Sequence, residues 1–98
     1  MPVSVTFDGK KALVSCEGKF DSTAMPELEK EIQEIPCDDL DEIVVDLAKT
    51  DYISSRGIRV VMSLFHQMKG KKFSVVNANS AVKEIFNSTG LNKIVKLD

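Results

Sequence analysis

The N-terminal stretch VSVTFDGKKALVSCEG alternates apolar and polar residues, which is the pattern of half-buried β-strands. An Asp8-Gly9 step divides it into two runs, and such a step between alternating runs predicts a tight hairpin turn. The apolar positions of the two runs are Val3, Val5, Phe7, Ala12, Val14 and Cys16. The chain is therefore predicted to begin with two antiparallel strands.

Three later segments carry apolar residues at spacings of three and four, which predicts amphipathic helices starting near residues 22, 55 and 80. Asn79 or Ser80 is the predicted N-cap of the third helix, and Gly70 and Gly90 stand where the second and third would end. The predicted stripes are Ala24, Leu28, Ile32 and Ile35; Ile58, Val61, Leu64, Phe65 and Met68; and Val82, Ile85 and Phe86.

Short apolar runs separate these helices. EIVVDL is nearly continuous, so it predicts a central strand buried on both faces, with Val44 and Val45 both inaccessible to solvent. KFSVVN and NKIVKL predict two further strands. Alternating strands and helices indicate an α/β fold, namely a mixed, mainly parallel sheet of four to five strands packed with three or more helices.

Chain length and net charge limit the number of domains and the classes of partner that the protein can have. A chain of 98 residues with 43% apolar residues fits a single domain over residues 1–98, and a net charge of −2 gives no electrostatic footprint for nucleic acid or an anionic membrane. No signal peptide or membrane-spanning run is visible, so we expect a cytoplasmic protein without membrane insertion. Cys16 and Cys37 lack metal-binding spacing, and we expect free thiols, no metal site and no cofactor.

The stretch TDYISSRG is predicted to be the loop between the central strand and the second helix, at the carboxyl edge of the sheet where ligands and partners usually bind. Ser54 or Ser55 is expected to cap the helix. One serine suffices as a cap, so the other is a candidate phosphoacceptor at a helix N-terminus. Gly57 lowers helix propensity in the first turn, which indicates either the close approach of another backbone or a packing constraint.

From Val44 onward the sequence resembles the STAS domain of bacterial anti-sigma factor antagonists. The matching motifs are Asp46-Leu47, the serine-rich turn from Ser54 to Gly57, and Thr89-Gly90-Leu91. Upstream, GKFD resembles the Gly-x-x-Asp of that family and places Gly18 and Asp21 in correspondence. The resemblance spans nearly the whole chain.

The resemblance implies a phosphorylation site. Well-known members carry Asp-Ser-Ser-Gly and are phosphorylated on the first serine. Alignment on Gly57 places Ser55 at that position, Ser54 over the aspartate and Arg56 over the second serine. Ser55 is thus the expected acceptor and Ser54 the runner-up. The expected partner-binding residues are Asp21, Ser54, Arg56, Gly57 and Arg59, with Arg56 pairing with a phosphate or a partner carboxylate unless it is simply solvated.

The function implied by the resemblance is partner switching by a binding module that is not an enzyme. The unphosphorylated form would bind an anti-sigma factor that is also a serine kinase of the histidine-kinase-like ATPase fold, and so free its client. Phosphorylation at Ser55 would end binding, and a metal-dependent serine phosphatase would reset the switch. No catalytic residue is expected, since His66 has no Ser or Cys in a triad arrangement.

Two alternatives stay open. STAS domains also occur as accessory subunits of membrane lipid or anion transport systems that have no phosphoswitch. An aspartate-phosphorylated receiver is also α/β, but Asp46 lacks the paired acids near the first strand that would hold Mg²⁺.

Overall fold

The computed structural model describes residues 3–20, 25–93 and 95–97. Strands and helices alternate after an initial hairpin, and short 3₁₀ turns at Cys37–Asp39 and Leu91–Lys93 follow the first and third helices. The elements are β1 (Val3–Asp8), β2 (Lys11–Phe20), α1 (Met25–Gln33), β3 (Glu42–Ile53), α2 (Ser55–Gln67), β4 (Lys72–Val76), α3 (Ser80–Ser88) and β5 (Lys96–Leu97).

The described strands form one sheet in the order β1-β2-β3-β4-β5. β1 runs antiparallel to β2, whereas β2, β3, β4 and β5 pair in parallel. The predicted mixed, mainly parallel sheet is confirmed, and so is the central position of the Ile43–Leu47 run, because β3 is the middle strand. Parallel neighbours need crossover connections, and α1, α2 and α3 supply them.

The helices cover one face of this sheet. Val14, Val45 and Val75 lie side by side on neighbouring strands and are at most 2% exposed. The helices contribute their own apolar stripes to the same buried cluster. The helical residues of this core are Met25, Leu28, Ile32, Ile58, Val61, Leu64, Val82 and Phe86.

The opposite face is open, which corrects the prediction for Val44. Burial alternates along β3, so Val45 is buried while Val44 is only half-buried beside Leu13, which is 38% exposed. A continuous apolar run is compatible with burial on two faces or on one, and the run does not reveal which faces the helices cover. The strand is central without being buried on both sides.

Helix ends agree with the predicted signals where they are described. Asn79 accepts a hydrogen bond from the Val82 N–H and is the N-cap of α3. Gly70 has φ +83° just beyond α2, a conformation that glycine adopts without steric cost. The predicted start of the first helix near residue 22 and the stripe residue Ala24 lie outside the described residues.

The C-terminal segment NKIVKL is mostly not a strand. Leu91–Lys93 form a 3₁₀ turn and β5 contains only Lys96–Leu97. Its described apolar residues still face the core, because Val95 is buried and Leu97 packs against the buried cluster.

Candidate functional site

The connection between β3 and α2 is much shorter than predicted. Thr50–Ile53 continue β3 and pair with β2, with Gly18 opposite Thr50 and Phe20 opposite Ile53. Ser54 alone separates the strand from the helix. The assignment of TDYISSRG as a loop is therefore wrong for its first half, and the two serines stand directly on the end of the central strand.

The pairing of β2 with β3 has two register shifts, one between Ser15 and Glu17 and one between Gly18 and Lys19. Between Ser15 and Glu17 on β2 lies one residue, whereas two residues lie between their partners Asp46 and Lys49. Thr50, 2% exposed, spans this irregularity by donating its hydroxyl hydrogen to the Cys16 carbonyl at 3.0 Å. Bulges of this kind bend a strand and redirect its end, so the geometry upstream determines where Ser54 and Ser55 lie.

The two serines have different surroundings. Ser54 has an extended backbone, with φ −81° and ψ 169°, and its Oγ accepts a hydrogen bond from the Gly57 N–H at 3.2 Å. Its carbonyl accepts from the Ile58 N–H at 2.9 Å. These contacts make Ser54 the N-cap of α2. Ser55 is the first residue of the helix and its side chain is exposed.

Gly57 lies on the inner side of the first turn of α2 and is buried. A residue covered by its own chain is not available for close approach by another backbone. Of the two readings of this glycine, burial favours the packing constraint.

Arg56 is held by α1. Its Nε donates to Glu29 Oε1 at 2.7 Å and its Nη2 donates to Glu29 Oε2 at 3.4 Å. This fork geometry matches a carboxylate, and the hydrogen bond and charge of Glu29 raise the pKa of Arg56. Arg56 is thus not simply solvated, because Glu29 holds its guanidinium. It joins the first turn of α2 to the middle of α1.

A groove of about 320 Å³ runs between α1 and α2 with Ser55 beside it. Arg59 is exposed and also lies along the groove. The lining residues are Glu29, Ile32, Gln33, Ser55, Arg56, Arg59, Val60, Ser63 and Gln67. Sequence reasoning missed Val60, Ser63 and Gln67, although their spacing from Arg56 in steps of three and four places them on one helix face.

A second polar layer supports the strand end from the other side. The Asn79 side-chain amide donates to the carbonyls of Thr50 at 3.2 Å and Asp51 at 3.3 Å. Asn79 therefore caps α3 and also ties that helix to the end of β3. The capping role was a predicted alternative, but the contact to β3 has no signal in the sequence because the residues are far apart in the chain.

Asp21 lies outside the described residues. The backbone nearby is described, and Phe20 at the end of β2 is opposite Ile53 at the end of β3. β2 and β3 therefore end side by side. On β3, this end is Ile53, two residues before Ser55. Gly18 in the GKFD motif has φ +91°, a conformation that favours glycine.

The two cysteines and His66 do not line this groove, and neither thiol is ionised at neutral pH. Burial and the nearby charge of Asp46 raise the pKa of Cys16 to about 12, and burial raises that of Cys37, so both thiols are protonated at neutral pH. His66 is exposed. Within the described parts of the chain, no three His, Cys, Asp or Glu side chains are grouped to hold a metal ion. None of the described helices has the length and apolarity to cross a membrane.

The family model of the STAS domain matches residues 3–98. The chain belongs to the STAS domain family. The match covers every described element from β1 to β5, and so confirms the resemblance seen in the motifs of the central strand, the serine turn and the Thr89-Gly90-Leu91 segment.

The relatives of this STAS domain share most of its length. An anti-sigma-F factor antagonist of Mycobacterium tuberculosis, RsfB, is 26% identical over 96 residues, which are 97% of this chain and 79% of that protein. The crystal structure of an anti-sigma factor antagonist from Mycobacterium paratuberculosis is 26% identical with a TM-score of 0.87, covering 97% of this chain and 82% of the other.

More distant structures share the fold. The anti-sigma factor antagonist SpoIIAA in its unphosphorylated form superimposes with a TM-score of 0.78 at 12% identity, over 98% of this chain and 87% of that one. At that identity the likeness establishes a common architecture, and what these proteins bind is a property of each of them.

Proposed function

We propose that this STAS domain is an anti-sigma factor antagonist that acts by partner switching, with Ser55 as the phosphoacceptor. The observation that carries the proposal is the division between the two serines. Ser54 is used as the cap of α2, whereas the Ser55 hydroxyl is exposed at the start of the same helix and beside the α1/α2 groove.

A phosphate fits the N-terminus of α2. The free N–H groups of the first turn and the positive end of the helix dipole stabilise negative charge there. Ser54 occupies only the Gly57 N–H among the donors of that turn. The fold should therefore accommodate phosphoserine at position 55 with little rearrangement.

A bound partner would not accommodate the same group. A phosphate adds roughly −1.5 to −2 charges, and an unpaired charge enclosed in an interface costs several kcal/mol. Since Ser55 lies beside the groove, a partner that covers the groove would enclose the phosphate. Phosphorylation would thus release the partner by local electrostatics, without refolding the antagonist.

The proposed partner is an anti-sigma factor that is also a serine kinase of the histidine-kinase-like ATPase fold. It would grip the groove and the exposed side of α2, with Arg59 as a cation for its carboxylates. Arg56 would act through its ion pair, because holding α1 against α2 shapes the groove. Asp21 is proposed to orient the Ser55 hydroxyl or accept its proton, in place of the carboxylate that Ser54 replaces.

The antagonist itself would supply the acceptor and the docking face but no catalytic groups. A metal-dependent serine phosphatase would reset it. In this scheme the antagonist and the sigma factor compete for one anti-sigma factor, and the phosphorylation state of Ser55 decides which of them is bound.

The test is incubation with the cognate kinase and ATP, followed by mass mapping. Wild type and Ser54→Ala should gain one phosphate at position 55, and Ser55→Ala should gain none. Asp21→Asn should be labelled more slowly at an unchanged thermal midpoint. Full labelling of Ser55→Ala together with loss in Ser54→Ala would move the acceptor by one residue. If neither serine substitution altered labelling, the serines would be helix caps only.

A further inference from the structure

The edge strand β1, on the opposite side of the sheet from β5, has a free edge and lies outside the α1/α2 groove. Strand β1 pairs only with β2, so its other side presents backbone N–H and C=O groups that no strand of the described chain occupies. Beside it lies a groove of about 240 Å³ lined by Val3, Val5, Phe7, Glu31, Glu34 and Ile35.

The apolar part of this groove is partly open to solvent. Phe7 is 53% exposed, the largest exposed fraction among the large hydrophobic side chains of the described residues. Val3, Val5 and Phe7 point to the same side of β1, because side chains alternate along a strand. Edge strands of soluble proteins usually carry charges that discourage further pairing, and β1 has only Asp8 at its end.

Glu31 supplies the polar part. Its Oε2 atom is buried and, among the described residues, has no hydrogen-bond partner. A carboxylate oxygen removed from water without a donor is unfavourable by an amount comparable to a lost charge-assisted hydrogen bond. Glu34 adds a second carboxylate to the same lining, and the lining contains no lysine or arginine to balance them.

We infer that this groove is a second docking surface, which binds an extended basic segment of another protein as an added strand beside β1. The backbone of the segment would pair with the free side of β1, its apolar side chains would cover Phe7 and Val5, and a lysine or arginine would pair with the half-buried carboxylate of Glu31. A strand is the favoured occupant because β1 offers main-chain donors and acceptors along its length of six residues.

The negative charge of the groove favours a basic segment over a second copy of the chain. Two copies joined through their β1 strands would bring both pairs of Glu31 and Glu34 toward one junction, with no cation from the lining of either groove. A basic segment supplies the missing donors. The surface is separate from Ser55, which lines the α1/α2 groove and not this one, so its occupation should not depend on the phosphorylation state.

The test uses the isotope-labelled full chain and a synthetic six-residue peptide of alternating valine and lysine, acetylated and amidated at its ends. Nuclear magnetic resonance titration should show saturable shifts in β1 and around Glu31. Alternating valine and glutamate should not bind, and N-methylation of alternate amides in the basic peptide should abolish binding because it blocks strand pairing.

Two matched variants separate a specific ion pair from general attraction. Glu31→Gln should weaken binding about tenfold, whereas Glu27→Gln, which removes an equal charge from an exposed position of α1 outside the groove, should change it less than about twofold. Glu34→Gln, on an exposed residue, should give a smaller loss than Glu31→Gln. Equal effects at positions 27 and 31 or undiminished binding of the N-methylated peptide would each overturn the inference. So would shifts centred away from β1 and α1, or dimerisation through β1 without peptide.

Discussion

Ser54 and Ser55 are adjacent in sequence, but only one of them has a structural task. The Ser54 Oγ satisfies the Gly57 N–H, which would otherwise lack a partner within the helix. Ser55 contributes an exposed side chain at the first helical position. The sequence predicts that one serine caps and the other is free. Capping propensity alone cannot choose between them, because both residues are good N-caps and the choice depends on where β3 ends. The preference for Ser55 as the acceptor came from the family resemblance.

This division predicts unequal effects on stability. Ser54→Ala should lower the free energy of unfolding by about 1 kcal/mol, because the cap is lost. Ser55→Ala should stay within about 0.5 kcal/mol of wild type, as for most exposed substitutions. Urea denaturation of both variants measures the difference. Equal losses, or a larger loss for Ser55→Ala, would show that the cap is assigned to the wrong serine.

Cys16 makes stability fall in alkaline solution. Its pKa is raised from an ordinary 9.0 to about 12 by burial and by Asp46, so the folded state keeps a proton that the unfolded state releases. The stabilisation is complete below pH 9 and is lost as pH rises toward 12, by at most about 1.4 kcal/mol per pH unit. Cys16→Ala should start less stable and decline less steeply between pH 9 and pH 11. Parallel profiles would contradict this assignment.

Among the secondary-structure elements, the long strand β3 determines where the two serines lie, because it ends at Ile53, directly before Ser54. Its first part was predictable, because EIVVDL has the composition of a central strand. Its continuation through Thr50–Ile53 was not, because Lys49, Asp51 and Tyr52 read as polar loop residues until β2 is known to lie beside them. The strand is extended by a distant partner and by a buried hydroxyl, and neither leaves a local pattern.

Thr50 should therefore contribute to the stability of the fold, although threonine is a residue type common on protein surfaces. Thr50→Val keeps the shape but leaves the Cys16 carbonyl without its 3.0 Å donor, and should cost about 1 to 3 kcal/mol. Thr50→Ser keeps the hydroxyl and loses one methyl group, so its loss should be the smaller of the two. Chemical denaturation compares them. A valine variant as stable as wild type would show that the bond does not support β3.

The contact between α1 and α2 also depends on residues that are distant in the chain, so the sequence predicts only part of it. Periodicity correctly predicted a buried apolar stripe on each helix, since such stripes depend on local spacing, although Ile35 lies beyond the end of α1 and Phe65 is only half-buried. The pairing of Arg56 with Glu29 depends on how the two helices meet. From the sequence, Arg56 was equally compatible with a phosphate, a partner carboxylate or water, because an arginine side chain reaches in many directions from one backbone position.

For the whole molecule, the proposed switch is a change of charge on a fold that stays the same. The apolar core of the described residues includes side chains of both α1 and α2, and Ser55 is exposed beside the groove between these helices. A phosphate there meets helix N–H groups in the free protein and an enclosed interface in the complex. Binding and folding should therefore respond differently to the same modification.

The most direct test of this account is the affinity of the purified cognate kinase for Ser55→Asp, measured by calorimetry beside Ser80→Asp. Ser80 is a matched control, because it is also exposed, is also the first residue of a helix, and also follows a capping residue, Asn79. We expect Ser55→Asp to bind at least about tenfold more weakly than wild type, with unchanged circular dichroism and melting, and Ser80→Asp to bind like wild type. Equal affinities for the two variants, or weaker binding that appears only together with unfolding of Ser55→Asp, would contradict the account.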